Sequence, residues 1–193
     1  MAHRFNPAHM ERLLSPERER MLPPGVILGE LQLSPDGILA DIGCGPGYFV
    51  IPAARLTSGI VYGVDVEPQM LSALQARADE AGLSQVRTLE GSAENIPLAS
   101  EAVDASLCAF VLHEVQNLAV ALAELRRVTK VGGRLCIVEW EKHETSYGPP
   151  LHERLGSDEL LMALEREGFQ DVRQVKPNAD HYMLVGVVPV VTA

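Results

Sequence analysis

Asp41-Ile42-Gly43-Cys44-Gly45-Pro46-Gly47 sets a carboxylate two residues before three glycines on alternate positions, directly after the apolar run 38–42. Glycines there allow a sharp turn with positive φ and let a ligand approach the backbone without meeting a Cβ. The chemistry on offer is a cofactor cradle. A dinucleotide fingerprint, G-x-G-x-x-G, needs its third glycine one residue later, where this chain has Tyr48. Further along stand Asp65, the run Ser92-Ala93-Glu94, Phe110 and His113, and then Glu139 beside Trp140. His113 ionises near neutral pH and suits a general base, whereas Glu139 needs its pKa raised by burial to do the same. A histidine hydrogen-bonded at the pocket wall is the competing reading of His113.

The elements that must position these groups follow from periodicity. Residues 38–42, 60–65, 86–89, 103–112 and 134–140 read as buried strands, alternating with helices over 49–56, 68–82 and 118–128. Ser157 reads as the cap of a helix ending at Gly168, and strands at 171–175 and 181–190 close the chain as a hairpin. Ser15 before Pro16, and the pair Pro23-Pro24, open short helices in a cap over residues 1–36. The expected architecture is α/β: a Rossmann-like, doubly wound, mostly parallel seven-stranded sheet with a C-terminal antiparallel hairpin and a helical N-terminal cap. It forms one domain over 1–193, with the core at 37–193. In such a sheet ligands lie beyond the carboxyl ends of the strands, which selects Asp65, the run 92–94, His113, Glu114, Glu139 and Trp140 and excludes Asp104, at the start of its strand.

Asp41-x-Gly43-x-Gly45-x-Gly47, together with Asp65 22 residues after Gly43 and the loop 91–98, resembles the class I S-adenosylmethionine-dependent methyltransferases. Ala109-Phe110-Val111-Leu112-His113 resembles the small-molecule branch that includes the ubiquinone/menaquinone C-methyltransferases. The resemblance runs from about residue 39 to 140. It implies S-adenosyl-L-methionine as cofactor, with Gly43, Cys44, Gly45 and Gly47 as the cradle and Asp41 near the methionyl amino group. Asp65 would sit on the ribose, Val66 and Met70 against adenine, and Ser92, Ala93 and Glu94 around the base, while Tyr48, Phe110 and Trp140 are candidate rings near the sulfonium that packing explains equally well. Met70 also falls in an apolar helical stripe, where core packing accounts for it. Ser92 stands where the family's loop carries an acid, and Val131 interrupts the Lys-Pro-Gly-Gly turn at 130–133. The implied activity is methyl transfer to a small-molecule acceptor. A cofactor-binding protein without transfer, and a nicotinamide-dependent oxidoreductase, are the alternatives.

Composition bounds the partners. A formal net charge of −10 over 193 residues opposes binding to nucleic acid or an anionic membrane surface. Cys44, Cys108 and Cys136 are odd in number and widely spaced, as in reduced cytoplasmic proteins, and no metal-ligand spacing occurs. No run reaches the ~18 apolar residues of a membrane span. A cytoplasmic monomer or homodimer is expected. Loop 148–154 is rich in polar heads and reads as an ordinary solvated surface loop, with Arg154 as a partner for an anionic acceptor the alternative reading.

Overall fold

A computed structural model describes residues 7–190. Seven strands form one sheet: β1 Leu39–Ile42, β2 Val61–Asp65, β3 Val86–Glu90, β4 Val103–Ala109, β5 Thr129–Trp140, β6 Gln170–Val175 and β7 His181–Val187. Their order is β3-β2-β1-β4-β5-β7-β6. The first five run parallel, while β7 pairs antiparallel with both β5 and β6. Among the described residues six α-helices surround the sheet: α1 Pro16–Met21, α2 Pro24–Glu30, α3 Val50–Ala54, α4 Pro68–Glu80, α5 Leu118–Val128 and α6 Ser157–Glu167. Every residue of β1 is buried, as a strand sandwiched between two helical layers requires. One core, around Leu39, Phe49, Val61, Leu74 and Leu107, lies under α2, α3 and α4. The other, around Ile42, Val64, Leu122, Leu125 and Leu164, lies under α5 and α6.

Strand order reverses at β1, flanked by β2 and β4, and the chains leaving these strands in opposite directions open a crevice at their carboxyl ends. α1 is held over that end. Ser15 accepts a hydrogen bond from the Arg18 N–H (3.2 Å), and Pro16 occupies the first helical position.

Several boundaries differ from the periodicity. β4 stops at Ala109 because Phe110 turns left-handed (φ 62°), so His113 lies on a 3-10 turn, Leu112–Glu114. β5 begins at Thr129 and absorbs Gly132 and Gly133, with a register shift between Val103 and Ala105 taking up the extra residues. Gly156, not Ser157, is the cap of α6. The last strand ends at Val187, three residues short of the apolar run.

Candidate functional site

The glycine loop is fastened from below and across. Gly43 and Cys44 both donate to the Val64 carbonyl (2.7 and 3.0 Å), and Gly45 N–H donates to Asp65 Oδ2 (2.8 Å). Asp65 Oδ1 accepts from Glu67 N–H (2.9 Å), so this carboxylate ties the loop after β1 to the loop after β2. Burial raises the Asp65 pKa, opposed by the Glu67 and Gly45 N–H bonds. Each oxygen retains a second lone-pair direction for a ligand hydroxyl.

Above the loop is a cavity of about 890 Å³, lined by Gly43, Cys44, Gly45, Asp65, Val66, Met70, Ser92, Ala93, Phe110 and His113. The other expected site residues stand behind this surface. Gly47 closes the turn onto the Cys44 carbonyl (3.0 Å). Glu94 accepts from the backbone N–H groups of Gln116 and Asn117 (3.3 and 2.8 Å), clamping the loop after β3 to the start of α5. Asp41 is buried beneath the loop, its Oδ2 without a hydrogen-bond partner among the described residues. Burial pushes its pKa up to about 7, against the pull of Arg18.

Glu139, fully buried at the end of β5, accepts from His113. Nδ1 lies 2.9 Å from Oε2 and 3.1 Å from Oε1, and the His113 backbone N–H adds a 3.3 Å bond. A carboxylate there holds the proton on Nδ1 and leaves the Nε2 lone pair free. Nε2 lies 3.8 Å from Glu114 Oε1, and both residues line the cavity. Burial lowers the His113 pKa, but the charge and hydrogen bond of Glu139 outweigh it and the net shift is upward. Glu139 is not among the residues lining the cavity, and its carboxylate meets His113 instead. The Cys44 thiol, its pKa raised well above the ordinary value by burial, offers no thiolate.

Sequence reasoning missed much of the roof. Arg18 and Met21 of α1, then Tyr147 and His181, also line the cavity, and Trp140 packs on Phe110 (5.3 Å), His181 (4.4 Å) and Tyr147 (5.5 Å) between ring centroids. His181 had a readable signal, since an antiparallel strand begins at the edge where parallel ones end. Arg18 had none, because nothing in the sequence fixes how the cap folds back. Arg154 differs from expectation. Its guanidinium donates to the carbonyls of Pro149, Glu141, His143 and Tyr147 (2.8 to 3.1 Å) and to Thr145 Oγ1 (2.5 Å). It is buried and holds loop 141–154 shut, with no donor left for an anionic acceptor.

These features fit S-adenosylmethionine. A Cβ on Gly45 would meet only Leu13 (3.4 Å) and otherwise enter the cavity, Asp65 keeps free lone pairs at the rim, and Asp41 leaves an acid oxygen unanswered below. The methyltransferase domain model matches residues 40–137, about half of the chain. A demethylmenaquinone methyltransferase of Bacillus velezensis is 33% identical over 106 residues, covering 54% of this chain and 46% of that protein. A ubiquinone/menaquinone biosynthesis C-methyltransferase of Syntrophotalea carbinolica is 36% identical over 114 residues, covering 58% and 48%. The chain thus spans about half the length of these curated relatives. The crystal structure of a SAM-dependent methyltransferase from Aquifex aeolicus superposes with a TM-score of 0.89 at 29% identity, covering 96% of this chain and all of that one. Glycine loop, strand order and matched residues agree: the chain belongs to the methyltransferase domain family, with the class I S-adenosylmethionine-dependent fold.

Proposed function

We propose that the protein transfers a methyl group from S-adenosylmethionine to a small-molecule acceptor whose proton is taken by His113. The observation that carries this reading is a single cavity bordered by the glycine loop and Asp65 on one side and by His113, braced on buried Glu139, on the other. The cofactor supplies an activated methyl group on a sulfonium whose leaving group needs no protonation. Gly43, Cys44, Gly45 and Asp65 hold its nucleoside, and Val66, Met70 and Ala93 give the adenine an apolar seat. His113 Nε2 accepts the acceptor's proton, and Glu139 steadies the imidazolium that results. Phe110, Trp140 and Tyr147 offer rings to a flat acceptor and exclude water. The chain's −10 charge supports a small molecule over nucleic acid as partner. Three buried free thiols support a cytoplasmic location.

Calorimetry with S-adenosylhomocysteine and with NADH tests the cofactor, and an acceptor panel scored by S-adenosylhomocysteine release tests transfer. Tight binding of the first ligand and release with at least one acceptor are expected. NADH binding in its place would establish the oxidoreductase alternative. Binding without release across phenols, amines and activated carbons would leave a cofactor-binding protein.

A further inference from the structure

α1 carries a cation that its surroundings do not neutralise. Arg18 lines the cavity with its guanidinium over Tyr48 at 4.5 Å and near Phe110 at 5.4 Å. Among the described residues its side chain makes one long hydrogen bond, Nη1 to the Leu13 carbonyl at 3.4 Å, and no ion pair. Burial lowers its pKa to about 10, although Tyr48 and Asp41 both favour the charge. A half-buried guanidinium facing the cavity with most of its five donors unused is set to receive an anion there. Asp41, whose field Arg18 feels, has the converse defect, a buried carboxylate oxygen with no donor. The two attract each other without touching. A ligand bearing a carboxylate and an ammonium on one carbon would answer both, and the acid lies under the glycine loop rather than beside Trp140.

We propose that Arg18 binds the carboxylate of the cofactor's methionyl end, which makes α1 a wall of the cofactor site and not only a cover for the sheet. This rests on the cofactor reading given above. The aromatic ring beneath Arg18 pre-orients the fork at small entropic cost, so it meets a carboxylate with two parallel donors.

Calorimetry with S-adenosylhomocysteine and with 5′-methylthioadenosine, the same thioether nucleoside without the amino-acid group, separates the two ends. Arg18→Gln should weaken S-adenosylhomocysteine tenfold or more and leave methylthioadenosine within twofold. Arg18→Lys, which keeps the charge and loses the fork, should fall between, and circular dichroism confirms folding of each. Equal losses for both ligands would mean that Arg18 merely braces the cap on Tyr48, and an unchanged S-adenosylhomocysteine affinity would hand Arg18 to the acceptor. Either result overturns the proposal. Wild-type protein that binds neither ligand overturns the cofactor reading instead, and this one with it.

Discussion

Asp65 does two jobs with one carboxylate, and separating them is the first test at the scale of single residues. Its bonds to Gly45 and Glu67 N–H groups fix the loop, and in the proposed function its remaining lone pairs take the ribose hydroxyls. Asp65→Ala removes two charge-assisted ligand bonds and should cost cofactor affinity on the order of 2 kcal/mol by calorimetry, with a further loss wherever the loop slackens. Asp41 makes affinity depend on pH. Its carboxyl, held at about 7, is half protonated near neutrality, and a ligand ammonium favours the ionised form. Binding therefore releases a proton, and affinity for S-adenosylhomocysteine should rise from about pH 6 to about pH 8. Asp41→Asn should flatten that rise, and buffers of different ionisation enthalpy would detect the proton. His113 acts with the same sign for a different reason. A base must be neutral, so turnover should climb with pH through a pKa above 6.5. Glu139→Gln removes the charge that raises this pKa, and the acidic limb of the profile should move to lower pH while the plateau falls. His113→Ala should lower turnover far more than cofactor affinity. A loss within about twofold, some 0.4 kcal/mol, would remove it from catalysis.

Among the elements, the loop after β1 assigns different duties to glycines that look equivalent in sequence. Gly43 is left-handed (φ +73°), and a Cβ there would run into Val111, the residue before the 3-10 turn. Gly45 is left-handed too (φ +51°), but its missing Cβ faces the cavity. Gly43→Ala should therefore lower the melting temperature, whereas Gly45→Val should abolish S-adenosylhomocysteine binding in a protein that still folds. Circular dichroism and calorimetry on both variants check the contrast. Alternation of apolar runs with helical stripes made the strand and helix succession legible, because burial on both faces writes itself into composition. Boundaries set by backbone conformation were less legible. Nothing about an aromatic residue announces the left-handed turn of Phe110, a conformation costing roughly 1–3 kcal/mol, and it is this turn that ends β4 early and carries His113 towards Glu139. The Glu94 clamp escaped notice for the same reason, since its partners are backbone groups 22 and 23 positions away.

The molecule as a whole closes its cavity with three segments distant in sequence, which is why the cofactor half of the site was readable and the acceptor half was not. The cofactor half is local, being loops that directly follow β1, β2 and β3. The proposed acceptor half gathers loop 141–154 and the turn before β7, and α1 borders both halves, joined to the others by contacts such as Asn178 Nδ2 to the Met21 carbonyl (2.8 Å) and the Tyr147 hydroxyl to Asp180. Arg154 governs the middle segment. A buried guanidinium serving four carbonyls and a hydroxyl organises a loop that has no helix or strand longer than one 3-10 turn, Leu151–Glu153, to stiffen it. Arg154→Met keeps much of the side-chain volume and strips these donors, so the carbonyls must turn to water and the loop must open. Amide exchange over 141–154 should accelerate while that of β1, β2 and β4 stays protected. The Michaelis constant for the acceptor should rise severalfold, because Tyr147 and Pro149 leave the cavity wall, while S-adenosylhomocysteine affinity should change little, because the glycine loop and Asp65 lie on other elements. Equal losses for cofactor and acceptor would show that loop 141–154 supports the whole cavity instead of its acceptor half.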